Sequence, residues 1–164
     1  MLSKAVQNAL NEQINHEMYS SYLYLGMSTF CAEANLQGFA GWLKVQSAEE
    51  YGHAMKLYGY IHDRGGHVDL MAIEKPAARY KSAKDVFAHV VDHEEKVTAL
   101  IRKLYELAAK EKDYPTQILL EWFITEQVEE ERNAAAIVER MNMIGDHMPA
   151  MIMLDRELGM RKSE

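Results

Sequence analysis

Leu2, Val6, Leu10 and Ile14 recur every fourth residue at the start of the chain, and Ser21, Tyr24 and Leu25 continue that face. This period marks one side of an α-helix, predicted over 3–33 with Ser3 as its N-cap. Phe39, Leu43, Leu57 and Ile61 predict a second helix over 36–64, capped by Asn35 and stopped by Gly65-Gly66. Residues 66–81 show no period and contain Pro76. A connection of that length inside a compact domain spans a distance or carries a function. Ser82-Ala-Lys-Asp85 has the capping-box form and opens a third helix over 83–111, with Val86, Val90, Val97, Ile101 and Leu104 on one face. Pro115 suits the first turn of a fourth helix over 115–144, whose stripe reads Ile118, Leu119, Trp122, Phe123, Ala134, Ile137 and Met141. Gly145 ends it, and Asp146 can cap a short fifth helix over 147–158.

Four helices of near-equal length with one long connection predict an all-α four-helix bundle, in which that connection crosses over the bundle's full length. The short links around 34–35 and 112–114 make two antiparallel pairs, and the fifth helix is an appendage. One domain over 1–164 is expected, since this length builds a sizeable core without staples. The net charge of −7 excludes a basic nucleic-acid face and suits a protein that attracts cations. No stretch approaches the length of a membrane span, so no membrane partner is expected. The first residues hold no continuous apolar run, so no secretory leader is expected. With the single cysteine, Cys31, this suggests a reducing cytoplasm.

The polar residues that interrupt the stripes carry the chemistry. Glu17, Glu50, Glu94 and Glu130 each fall on an apolar face, one per long helix, with His53 three residues after Glu50 and Gln127 three before Glu130. Burying an unpaired carboxylate costs several kcal/mol, roughly, so a cationic partner is implied. Glu17 and Glu50 lie about 14 residues into their helices, Glu94 about 12, and Gln127 and Glu130 roughly 12 and 15. These depths are roughly 18–22 Å in helices roughly 42–46 Å long, so all six residues share the middle level of the bundle. Residues at i and i+3 project from one face, which pairs Glu50 with His53 and Gln127 with Glu130. Tyr24 is seven residues after Glu17 and reaches the same level. Carboxylates can bridge two metal ions, and one imidazole suits iron better than magnesium or calcium.

These motifs resemble the non-haem bacterial ferritins over the whole chain. They are NHEMYSSYLYL around Glu17 and Tyr24, AEEYGH from Ala48 to His53, HEEK around Glu94, and TEQVEEE from Thr125 to Glu131. The resemblance implies a ferritin-like bundle that binds two iron ions within one subunit. Glu17, Glu50 and His53 would hold the first, with Glu50 bridging; Glu94 and Glu130 would hold the second, with Gln127 close by. Glu49, Glu126 and Glu129 match a third, cavity-side iron site. The implied activity is a ferroxidase: Fe(II) is oxidised by dioxygen or peroxide and stored as ferric mineral in a hollow 24-subunit homo-oligomer. Tyr24 is implied as an electron donor or hydrogen-bond partner.

Departures from the pattern refine it. The fourth helix has no second histidine, so the second ion would be held by oxygen alone, as a passing substrate more than a fixed cofactor. Bacterioferritins carry a haem-ligating methionine after the bridging glutamate, where this chain has Tyr51, so no haem is expected. Animal ferritins line a channel with acidic residues where this chain has Gln117, Leu120 and Glu121. His16 and His93 face away from the ligand side by about 100° and are not assigned to the site. The eleven methionines are read as filler for cores and subunit contacts, and Cys31 as a small apolar filler. A rubrerythrin-type oxygenase or peroxidase needs a C-x-x-C pair that a single cysteine cannot supply. A mini-ferritin lacks the fifth helix. A storage bundle without oxidation chemistry is the remaining alternative.

Overall fold

The computed structural model describes residues 2–77 and 79–161. Five α-helices follow one another: α1 (Lys4–Glu33), α2 (Gln37–Asp63), α3 (Ala83–Lys110), α4 (Tyr114–Ile144) and α5 (Met148–Leu158). The first four form a bundle in which α1 lies along α2 and α3 along α4, and α5 folds onto the start of α2.

The turns are set by backbone chemistry at the helix ends. Asn35, Gly65 and Lys112 each adopt positive φ, at 60°, 67° and 56°. The next residue's N–H in each case reaches back to the carbonyl five positions earlier: Leu36 to Cys31, Gly66 to Ile61 and Asp113 to Ala108. These are Schellman closures, which satisfy carbonyls that a helix end would otherwise orphan. Asn35 therefore ends α1 and does not cap α2, a correction to the sequence reading. The N-cap of α2 is Leu36, which has no side-chain acceptor. The acceptor comes from α5, whose Asp155 Oδ1 takes the Phe39 N–H at 2.8 Å. Ser3 and Ser82 cap α1 and α3 as expected, while His147, not Asp146, caps α5.

The crossover, absent of any period, is tied to a ladder of amide side chains on α1. Gln7 Oε1 accepts from the His67 N–H at 2.9 Å. Asn11 donates to the His67 carbonyl and accepts from the Asp69 N–H. Asn15 donates to the Ala72 carbonyl at 3.1 Å. Further along, Tyr80 packs edge-on against Phe30, near the far end of α1. The segment thus climbs the full bundle, so α3 starts beside the end of α1 and runs antiparallel to it. At the opposite end Arg64 pairs with Asp113 at 2.9 Å, joining the end of α2 to the start of α4.

The core is divided. One apolar cluster contains Met27, Phe39, Leu43, Phe87, Ile137 and Met141. The other contains Leu10, Leu57, Ile61, Ile101, Leu120 and Phe123. Three stripe assignments are corrected: Leu25, Ile118 and Trp122 are exposed, and Leu120 is fully buried. The true faces run Ile14, Glu17, Ser20, Tyr24, Met27 on α1 and Thr116, Leu120, Phe123, Gln127, Glu130 on α4, which spaces them at three to four residues as a buried helix face requires. Between the apolar halves lies a polar layer.

Candidate metal centre

That layer contains Gln13, Glu17, Gln46, Glu50, His53, Glu94, Gln127 and Glu130, all buried. Each long helix contributes, and the mid-helix depth of each residue sets the common level. Among the described residues, Glu17, Glu50 and His53 bring one ligand atom each within 4.8 Å of one another. His53 Nδ1 stands 3.5 Å from Glu50 Oε2 and 3.9 Å from Glu17 Oε2. The His53 ring is held edge-on by Trp122 and Phe123 of α4, at centroid distances of 5.3 and 5.9 Å.

Glu17 Oε1 accepts a hydrogen bond from Gln13 at 2.7 Å, but its Oε2 is buried with no hydrogen-bond partner, alone in this among the described residues. A buried acceptor left unmade costs about 1–3 kcal/mol, and more when charged. A metal ion at the point faced by Glu17, Glu50 and His53 would satisfy it, and the donor set of two carboxylates and an imidazole fits iron.

The second half of the layer is assembled differently. Tyr24 donates its hydroxyl to Glu94 Oε1. Gln127 Nε2 donates to Glu94 Oε2 at 3.1 Å. Gln46 Nε2 donates to Glu130 Oε2 at 2.6 Å and, more weakly, to Glu50 Oε1 at 3.4 Å. Glu94 and Glu130 therefore face the site with their oxygens already oriented by amides and a phenol. Gln127 acts here as a donor to Glu94, and Glu130 occupies the position three residues on where an E-x-x-H pattern would place a histidine.

Burial and crowding raise every carboxyl in the layer. Glu17 is pushed well above the usual carboxylate range by desolvation and then by Glu50. Glu50 is raised by desolvation and Glu94, and Glu94 chiefly by desolvation. Glu130 rises to about 7, from desolvation and the charge of Glu94. Such groups hold protons near neutral pH and exchange them for a cation. The Tyr24 phenol is also raised, by desolvation and then Glu94, so it stays protonated and donates.

Glu49, Glu126 and Glu129 are arranged less tightly. Glu126 is half-buried, and Glu129 is exposed and pairs with Arg132 at 3.5 Å. Glu49 is half-buried and bonded to Arg161. His93 turns away from the layer: its Nε2 meets Ser20 Oγ at 2.8 Å and its ring stands edge-on to Tyr24. Burial, then Lys96 and His16, lower it to about 4, so it is neutral. Tyr51 is about half exposed at the surface of α2. Cys31 is buried, and desolvation raises its thiol to about 12, an inert filler.

Sequence reasoning missed Gln13 and Gln46. Both sit four residues before a ligand carboxylate on the same helix, Gln13 before Glu17 and Gln46 before Glu50, a spacing that could have found them.

The ferritin-like domain family matches residues 7–144. A bacterial non-heme ferritin of Staphylococcus haemolyticus is 38% identical over 161 residues, covering 98% of this chain and 97% of that one. The Staphylococcus aureus protein of the same description is 37% identical over the same coverage. A structure of Archaeoglobus fulgidus ferritin, engineered to a closed form, superposes with a TM-score of 0.99 at 43% identity over the full length of both chains. The open-pore ferritin of that archaeon gives 0.98 at 44%, covering 99% of this chain and 100% of that one. No helix among the described residues is long and apolar enough to cross a membrane. With four carboxylates and a histidine in the middle of a four-helix bundle, and with matches running end to end, this chain belongs to the ferritin family.

Proposed function

We propose that this chain stores iron and oxidises it on the way in. The observation that carries the reading is the unpartnered, buried Glu17 Oε2 facing Glu50 and His53 inside a packed bundle. One Fe(II) binds to Glu17, Glu50 and His53. A second binds to Glu94 and Glu130, with Glu50 bridging and Gln127 orienting Glu94. Dioxygen takes one electron from each ion. Protons leave the carboxyl groups as the metal arrives and remain available to the reduced oxygen. Tyr24, fixed on Glu94, stands where it can donate a hydrogen bond or an electron. Fe(III) then passes by a third site at Glu49, Glu126 and Glu129 to a ferric mineral inside a hollow 24-subunit shell, in the cytoplasm.

The weaker hold on the second ion, without a histidine, favours release of iron over retention. Assembly is supported by exposed apolar side chains on the crossover, Leu70, Met71 and Ile73, and on α5, Met148 and Met153. A monomer's surface gains nothing from such patches, and subunit contacts cover them. Oxygen uptake on anaerobic-to-aerobic addition of two Fe(II) per subunit tests the chemistry. Rapid uptake that Glu94→Ala or His53→Ala removes is expected. Iron binding without oxygen consumption would leave only a storage bundle, and light scattering that returns a monomer would remove the cage.

A further inference from the structure

Beyond α5 the chain turns back along α2. Gly159 lies against Gly38, so close that a Cβ on Gly159 would stand 2.9 Å from the Gly38 Cα. This brings Arg161 over the face of α2 that carries Trp42, Gln46 and Glu49, spaced i, i+4 and i+7. One nitrogen of its guanidinium bonds Glu49 Oε2 at 2.5 Å, and the other bonds Gln46 Oε1 at 2.7 Å. Its central carbon sits 4.6 Å from the Trp42 ring centroid, a cation–π contact. The side chains of Arg161 and Glu49 are only 23% and 22% exposed. Three contacts fix this guanidinium where the proposed chemistry has no use for a cation.

We infer that Arg161 is a built-in competitor for the cavity-side iron: its guanidinium holds the Glu49 carboxylate, so third-ion binding and docking of the C-terminal segment oppose each other. The inference rests on the third-ion reading of Glu49, Glu126 and Glu129. A divalent ion on Glu49 would place two cations on one carboxylate, and at the effective dielectric of a partly buried site that repulsion far exceeds thermal energy. Either the ion stays away or Arg161 leaves. By linkage the coupling is reciprocal: removing the guanidinium charge strengthens the third ion, and the third ion loosens the segment. Gln46 extends the effect inward, since the amide that accepts from Arg161 donates to Glu130 and Glu50. Release of Arg161 therefore frees a contact of the two-iron site as iron departs.

The test uses Zn(II), which cannot be oxidised, on the metal-stripped assembled protein, by calorimetry. Arg161→Gln removes the charge and keeps a donor for Gln46; Arg161→Lys keeps the charge. The third Zn(II) per subunit should bind about fivefold or more tighter in R161Q, with the first two within about twofold of the unsubstituted protein. R161K should match the unsubstituted protein. A merely structural role would move both variants together. In the unsubstituted protein, hydrogen exchange over Gly159 to Arg161 should quicken at the third equivalent and not at the first two, a readout that needs no variant to fold. A third affinity unmoved in R161Q, equal effects of the two variants, or exchange that ignores the third ion would each overturn the inference. Absence of the first two ions would instead overturn the proposed function.

Discussion

At the scale of single residues, the carboxylates of the layer are not equivalent. Glu94 takes hydrogen bonds from Tyr24 and Gln127, so an apolar replacement there would orphan the fully buried Tyr24 phenol and leave the Gln127 amide only its contacts with the Glu94 carbonyl and Thr98. Glu17 keeps an oxygen with no hydrogen-bond partner. The carboxyl of Glu17 is therefore the one whose replacement costs the metal-free fold least. Glu17→Gln retains the acceptor for Gln13 and turns the orphaned oxygen into an amide donor toward Glu50. It should stabilise the metal-free protein by about 1–3 kcal/mol, because an unpaired buried carboxyl is replaced by a neutral, paired group of the same shape. In a chain of this size that is a rise of several degrees in Tm, on the order of 2–4 °C per kcal/mol. The same change should abolish rapid two-iron oxidation. A variant that melts lower than its parent while retaining iron oxidation would show Glu17 to be structural.

At the scale of elements, α5 is part of the site's support. Its Asp155 caps α2 through Phe39, its Arg140–Glu157 bridge ties it to α4, and its end packs on Gly38. A Cβ at Gly38 would fall 1.6 Å from the Asp155 carbonyl oxygen, a rigid backbone atom. Gly38→Ala should therefore undock α5, at a cost of at least about 2 kcal/mol from overpacking and the lost cap together. Asp155→Ala, which removes only the cap, should cost about 1 kcal/mol. Thermal melts and hydrogen exchange over 148–161 read both. Equal, small effects would mean that α5 is loosely attached.

At the scale of the whole molecule, the buried acids make stability depend on pH in an unusual direction. Unfolded glutamates ionise near pH 4.5, roughly, whereas Glu130 in the fold holds its proton to about 7, and Glu17, Glu50 and Glu94 are raised as well. Between those values the folded chain binds more protons than the unfolded one, so stability is fullest below the unfolded pKa and falls as pH rises through the window. Glu130 alone accounts for about 3 kcal/mol across it. Calorimetry on metal-free protein should show Tm falling from about pH 5 to pH 7, with a shallower fall in Glu130→Gln. Metal loading should reverse the trend and release protons, because ligand oxygens must deprotonate to bind. A metal-free Tm that climbs with pH over that range would contradict the buried-acid arrangement.

What the sequence determined by itself was whatever depends on local spacing. The 3.6-residue period and its glycine stops at Gly65-Gly66 and Gly145 marked out four long helices and a crossover. The placement of Glu17, Glu50, His53, Glu94, Gln127 and Glu130 on inward faces at one depth followed from rise per residue alone. Where apolar residues stand side by side, as in Tyr24-Leu25 and Ile118-Leu119-Leu120, the period was ambiguous, and Leu25 and Ile118 were put inward although both are exposed and Leu120 is the buried one. Features decided by contacts between distant segments were not legible. The α2 cap comes from Asp155, more than a hundred residues away; the crossover's partners are amides on α1; and Arg161 meets Glu49 across the fold. Which oxygen of which carboxylate lies unpaired also belongs to this class. It depends on the donors that four separate helices bring to a common layer, and no spacing along one helix encodes that.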